Sequence, residues 1–250
     1  MIEIKDLKKA FEGVQVLKGV NLTIKDRELM VIIGRSGAGK SVLLKHLIGL
    51  YRPDSGSILI DGEDIIKSCG KKEVCSIRER FGVLFQGGAL FDSMTVFENV
   101  AFPLQEKTRL SREVIAEKVR EALEDVGLSG IEDKYPAELS GGMRKRVALA
   151  RALITEPEIV LFDEPTTGLD PISMNSIHQL IIRTHKKYRF TGVVISHDIP
   201  HVFDIADRVA MIHDGQIVEV GLPEEIIGSE NPVVRQFIRG ELEGPIKVLH

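Results

Sequence analysis

Eight residues, Gly34 to Ser41 (GRSGAGKS), carry the most legible chemistry in this 250-residue chain. They satisfy the spacing G-x-x-x-x-G-K-[ST], which needs a strand before it and a helix after it to work as a phosphate cradle. The apolar run Leu29 to Ile33 supplies the strand, and the apolar-rich segment from Ser41 to Ile48 supplies the helix. Gly34, Gly37 and Gly39 let successive backbone N–H groups converge on phosphate oxygens. Arg35, Ser36, Ala38 and Val42 complete the loop and the opening of the helix, whose N-terminus adds partial positive charge. Lys40 is placed to reach the outer phosphates, and the Ser41 hydroxyl to ligate Mg²⁺.

About a hundred residues on, Leu139-Ser140-Gly141-Gly142 precedes a helical stretch in which Val147, Leu149, Ala150 and Leu153 alternate with Arg144, Lys145, Arg146 and Arg151. A capping serine followed by two glycines offers a hydroxyl and free N–H groups to an anion. Between 158 and 166 an apolar run of strand length, Ile159 to Phe162, stops at Asp163 and Glu164. Ligands of parallel sheets bind beyond the carboxyl ends of strands, so both carboxylates are expected to project towards the phosphates. A second strand, Gly192 to Ser196, ends at His197.

Taken jointly, these motifs resemble those of the ATP-binding cassette (ABC) ATPases, and the resemblance covers nearly the whole chain. It implies that Asp163 holds Mg²⁺, that Glu164 is the general base towards the attacking water, and that His197 contacts the γ-phosphate of ATP. It further implies that Gln86 ligates Mg²⁺ or the water, that Asp170 communicates across a dimer, and that the Phe11 ring stacks on adenine. The Ser140–Gly142 turn of one chain would cover the nucleotide held by the Gly34–Ser41 loop of another, so the resemblance implies a head-to-tail homodimer. Met143 stands where glutamine is commonest in the family.

The fold implied is α/β: a P-loop NTPase of the ABC-ATPase type, with a mainly parallel core sheet, an N-terminal antiparallel β layer and an inserted helical subdomain. β-rich segments at 2–7, 20–24 and 57–61 fit the antiparallel layer, and strands near 159, 192 and 208 fit the core. Val114, Ala116, Val119, Ala122, Leu123 and Val126 repeat at helical spacing, with a break at Gly127. The expected division is an ATPase domain over 1–240, a helical subdomain over about 87–157, and a C-terminal extension over 229–250 able to hold a neighbouring subunit.

Thirty-three basic against 37 acidic residues, a net charge of −4, argue against a nucleic-acid partner. The Arg144-Lys145-Arg146 and Lys186-Lys187 clusters read as solvated helix faces. No apolar run approaches the roughly 18 residues of a membrane span, and the start lacks a signal-peptide pattern, so a membrane role must come through partners. Cys69 and Cys75 lack metal or disulfide spacing and suit a reducing cytoplasm. The segment from Gln86 to Leu104 is unusually apolar for a connection, and Phe91, Met94 and Phe97 are its candidate contacts for a permease helix.

Within the family, LFQGGALFDSMTVFENVAFPL, Met143, DEPTTGLDPI and the tail from Asn231 to Pro245 resemble the branch that maintains bacterial lipid asymmetry. That kinship implies a peripheral subunit on the cytoplasmic face of the inner membrane. Its implied partners are multi-span permease subunits, a lipid-binding membrane-anchored subunit and a small STAS-domain regulator. The rival readings are an ATPase of a polar-solute importer and a soluble, non-transport ABC ATPase.

Overall fold

The computed structural model describes residues 1–65 and 77–247, so Cys69 and Cys75 lie outside the described residues. The chain divides into two compact units, residues 1–79 with 191–250, and residues 80–190.

In the first unit, β1 (Ile2–Phe11) and β2 (Val14–Ile24) form an antiparallel hairpin. The turn between them is Glu12-Gly13, both at positive φ (49° and 81°), the two-residue geometry that matches strand twist. Both strands run further than the alternating pattern suggests, which carries β1 as far as the Phe11 ring. β3 (Leu29–Ile33) follows, buried at all five positions, as a strand covered on both faces must be. Then come α1 (Lys40–Leu47), β4 (Ser55–Ile60) and the short β5 (Glu63–Asp64). The antiparallel layer has the order β2-β1-β4-β5.

The second unit opens with β6 (Phe81–Leu84), followed by α2 (Val96–Lys107), α3 (Arg112–Asp125) and α4 (Gly141–Leu153). β7 (Ile159–Asp163) then pairs in parallel with β6, with Val83 opposite Leu161. α5 (Pro171–Tyr188) closes the unit. A Cβ on Gly82 would come within 2.3 Å of the Ala152 carbonyl, so glycine there lets β6 lie directly against the end of α4. Each long helix is capped by the residue its sequence offers: Thr95 with Glu98 as a capping box on α2, Ser111 on α3, Ser140 on α4 and Asp170 on α5.

The chain then returns to the first unit. β8 (Thr191–Ser196) and β9 (Arg208–His213) flank β3, both parallel to it, and β10 (Gln216–Gly221) adds an antiparallel edge to β9. The helices α6 (Pro223–Ile227) and α7 (Pro232–Arg239) follow. Gln236 of α7, 3% exposed, holds the tail with its side-chain amide: Nε2 donates to the Glu241 and Ile246 carbonyls, and Oε1 accepts from Ile246 N at 2.7 Å. No helix among the described residues is long and apolar enough to cross a membrane.

Candidate functional site

In the first unit, β3 ends directly at the Gly34–Ser41 loop and α1 begins at Lys40, so the strand, loop and helix expected from the sequence are all formed. Gly34 sits at φ 151°, and a Cβ there would meet the Ile212 carbonyl at 2.3 Å; the loop leaves β3 through a gap only glycine fits. Gly39 is the left-handed N-cap of α1 and supplies no side-chain cap, so no side chain of the capping residue covers the helix start. Lys40 is 5% exposed and its ammonium folds onto the loop's own carbonyls, Gly34 O at 2.6 Å and Arg35 O at 2.9 Å. Arg35 is engaged with the chain end, donating from Nη1 to Lys247 O at 2.7 Å.

His197 stands exposed one residue past β8. Phe11 is half-buried at the end of β1, with the Tyr51 ring edge-on at 5.3 Å and the Lys9 ammonium 5.4 Å from its centroid. Its remaining exposure distinguishes it from the fully buried core phenylalanines, Phe162 and Phe190.

In the second unit the catalytic candidates converge. Gln86, two residues beyond β6, donates from Nε2 to Glu164 Oε2 at 3.1 Å. Thr167 Oγ1 donates to the same oxygen at 3.0 Å. Glu164 follows β7 with φ at +48°, a conformation uncommon for a side-chain-bearing residue and one that recurs at functional positions. Asp163 is half-buried at the last position of β7. An acceptor-only carboxylate oriented by two neutral donors suits a general base, because neither donor neutralises its charge. The oxygen donors present, the Asp163 carboxylate and Gln86 amide here and the Ser41 hydroxyl in the first unit, are the hard ligands Mg²⁺ prefers.

Ser140 caps α4 through its hydroxyl, which accepts from Met143 N at 3.2 Å; the N–H of Met143 therefore serves the turn whatever its side chain. Asp170 Oδ1 accepts from Ile172 N and Ser173 N, both at 3.0 Å. These bonds, with the Ser173 hydroxyl foremost, hold its carboxyl below the usual range. In the described chain Asp170 is a helix cap followed by proline at N1.

One reading of the sequence is corrected. Of the Arg144-Lys145-Arg146 cluster only Arg144 is exposed. Lys145 is 6% exposed, and its ammonium donates to the Gln86 carbonyl. Burial pushes it below the usual lysine range, against the opposing pull of Asp163 and Glu164. Arg146 is half-buried and donates to Val126 O and, at 2.6 Å, to Ser176 Oγ. The signal was present: Lys145 lies three, four and seven residues before Ala148, Leu149 and Ala152, on the buried stripe of its helix. Lys186 and Lys187 are exposed as expected, Lys187 paired with Asp125.

The apolar stretch after Gln86 lines a cavity of about 480 Å³, walled by Phe85, Phe91, Phe102, Pro103 and Arg151. Phe91 is 43% exposed, with Phe102 at 5.1 Å and the Arg151 guanidinium at 5.8 Å from its ring. Met94 and Phe97 do not line it; Phe97 faces a second cavity beside Glu98 and Arg112. Asn99, absent from the sequence reading, is fully buried and ties the segment together. Its Oδ1 accepts from Phe91 N, and its Nδ2 donates to the carbonyls of Phe91, Met94 and Thr95.

A glycine loop between a parallel strand and a helix, with a carboxylate pair ending a second strand, defines a P-loop nucleotide hydrolase. The chain belongs to the ABC transporter family, whose model matches residues 17–167. It is an ATP-binding ABC ATPase with the fold of that class. It is 47% identical over 245 residues to the "Probable ribonucleotide transport ATP-binding protein mkl" of Mycobacterium leprae, covering 98% of this chain and 70% of the relative. It is 42% identical over 247 residues to the "Intermembrane phospholipid transport system ATP-binding protein MlaF" of Haemophilus influenzae, covering 99% and 93%. Among solved structures it is similar to the dimeric ATP-binding cassette MJ0796 bound to ADP and Pi, at TM-score 0.81 and 33% identity, covering 89% of this chain and 99% of that one.

Proposed function

We propose that this chain is the ATP-hydrolysing subunit of a transporter that moves phospholipid through a membrane permease, working as a head-to-tail homodimer. The observation that carries the catalytic part is the Gln86–Glu164–Thr167 arrangement, a carboxylate oriented by two neutral donors at the end of β7. On this reading Gly34 to Val42 cradle the phosphates of ATP, and Lys40 exchanges the loop carbonyls for phosphate oxygens. Phe11 stacks on adenine, His197 contacts the γ-phosphate, and Glu164 takes the proton of the attacking water. Ser41, Asp163 and Gln86 would hold Mg²⁺. Bound there, the ion would neutralise charge developing on the phosphoryl group. Ser140, Gly141 and Gly142 cover the partner's nucleotide, and Asp170 meets the partner across the dimer.

The transport part leans on three features. The cavity lined by Phe85, Phe91 and Phe102 is an apolar recess next to Gln86, suited to a short helix of a permease. Similarity to the phospholipid-transport relative extends over 93% of that protein's length. The dimeric state of the solved ABC cassette favours two copies of this chain. We take 1–240 as the ATPase domain, about 87–157 as its helical subdomain, and 229–250 as an extension. The expected location is the cytoplasmic face of the inner membrane, with a lipid-binding membrane-anchored subunit and a STAS-domain regulator as further partners.

The relative named for ribonucleotide transport favours a second reading, a polar-solute transporter with the same ATPase mechanism. Purification of the Glu164→Gln chain from its native membranes, with mass spectrometry of the proteins and lipids that accompany it, separates the two. A permease with a lipid-binding subunit and phospholipid supports lipid transport. A permease with a soluble-solute receptor overturns it in favour of the second reading, and recovery of ribosomes or DNA overturns transport altogether.

A further inference from the structure

α4 begins at the Ser140 turn and carries two cationic side chains that serve the loop after β6. Lys145 donates to the carbonyl of Gln86. Six residues on, Arg151 donates from Nη2 to Gly88 O and from Nη1 to Ala89 O, both at 2.8 Å. Three carbonyls within four residues of that loop are therefore gripped by one helix. The grip uses charges where neutral donors would cost less to bury, since removing an ammonium from water is expensive unless strong hydrogen bonds compensate. Gly88 and Ala89 both adopt positive φ, at 79° and 47°, which is ordinary for the glycine and uncommon for the alanine, so the gripped loop holds one residue in a sparsely populated backbone conformation.

The side-chain amide of the same Gln86 donates to Glu164 Oε2. A continuous covalent and hydrogen-bonded path thus runs from the Ser140 turn along α4, through the Lys145 ammonium to the Gln86 backbone, and through the Gln86 amide to Glu164. We propose that Lys145 is a positioning residue for hydrolysis: by fixing the Gln86 backbone it aims the Gln86 amide at Glu164, and it makes the base answer to the position of the signature turn. In a head-to-tail dimer that turn engages the partner's nucleotide while Glu164 serves the chain's own, so Lys145 links one site to the other. The inference rests on Glu164 being the general base; Arg151 secures the loop one step further from the chemistry.

The test uses the full-length chain, with Lys145→Met, Lys145→Arg and Lys145→Gln measured for turnover, KM and ATP affinity. Lys145→Met leaves the Gln86 carbonyl unheld, and its turnover is expected to fall about ten- to a hundredfold, the scale of a misaimed catalytic group, with ATP affinity kept within about twofold. Lys145→Arg, which retains a charged donor, is expected within about fivefold of the unaltered chain. A double-mutant cycle keeps the proposal falsifiable where Lys145→Met does not fold. If Lys145 acts through Gln86, adding Lys145→Gln to Gln86→Ala changes turnover by less than about twofold. Unchanged turnover in Lys145→Met, no rescue by Lys145→Arg, loss of ATP binding in step with turnover, or additive effects in the cycle would each overturn it. Glu164→Gln serves as the separate control: full turnover there sinks the base assignment whatever Lys145 does.

Discussion

At the scale of the residue, Glu164 illustrates how a carboxylate is readied without being buried. It is half-exposed, set at φ +48°, and its Oε2 accepts from both Gln86 and Thr167. Replacing it with glutamine preserves shape and removes basicity, so turnover should fall by about 10²–10⁴-fold while ATP is still bound. Steady-state hydrolysis beside an equilibrium nucleotide-binding measurement checks both halves. A second residue-scale consequence concerns His46 in α1, which is 1% exposed. Burial pulls its imidazole below the ordinary histidine value, outweighing the bond from its ring to the Val42 carbonyl. A histidine whose folded value is depressed favours folding in its neutral form. Its contribution is therefore complete above the unfolded value of about 6.5 and is lost as pH falls from there towards the folded value. Thermal unfolding followed from pH 8 to pH 5 should show less loss of midpoint in His46→Leu than in the unaltered chain.

The same scale shows what a single sequence hides. The phosphate loop was legible because glycine spacing encodes backbone geometry directly, and Gly34 bears this out with its carbonyl neighbour at 2.3 Å. Lys145 was misassigned because a run of three cations suggests solvent, whereas helical phase, not charge, decides which of the three turns inward. The bond from Thr167 to Glu164 depends on a loop conformation that no spacing rule predicts.

At the scale of the element, the connection from Gln86 to Leu104 is held by Asn99, the polar residue of the buried α2 stripe that includes Val96 and Val100. Its four hydrogen bonds stitch Phe91, Met94 and Thr95 to the helix. Asn99→Ala leaves buried backbone groups unpaired and should destabilise the chain by about 1–3 kcal/mol, read by denaturant unfolding. It should also loosen the wall that Phe91 gives to the neighbouring cavity. Two helices of the second unit were legible, α4 from the Ser140 cap and α3 from its apolar periodicity; the caps at Ser111 and Asp170 emerge only in the structure, because a serine or an Asp-Pro pair serves a turn as readily as a helix start. The hairpin turn at Glu12-Gly13 was missed because glutamate at positive φ carries no sequence signature of its own. Met94 and Phe97 were grouped with Phe91 by hydropathy alone, and the N-terminal turn of α2 sends Phe97 to a different cavity.

At the scale of the molecule, the chain's two units divide the candidate residues between them. The first holds the phosphate loop, Phe11 and His197; the second holds Gln86, Asp163, Glu164, the Ser140 turn and Asp170. The tail from 241 to 247 folds onto Gln236, and its Lys247 carbonyl meets Arg35 of the phosphate loop, so the described part of the extension is also tied to its own unit. Deleting 241–250 should free Arg35 and alter ATP affinity measurably, whereas unchanged affinity would leave that bond without consequence for the loop.

The central claim, that each ATP site needs the phosphate loop of one chain and the signature turn of another, is open to a direct measurement in the Glu164→Gln background. Chains carrying Lys40→Ala and chains carrying Gly142→Asp are mixed, separated by size, and the ATP retained with the dimer is counted. Neither variant alone should retain ATP in a dimer. The mixture should yield a mixed dimer with about one ATP, because one of its two composite sites is intact. A mixture that retains no more ATP than either variant by itself, or a single variant that traps two, would contradict the account.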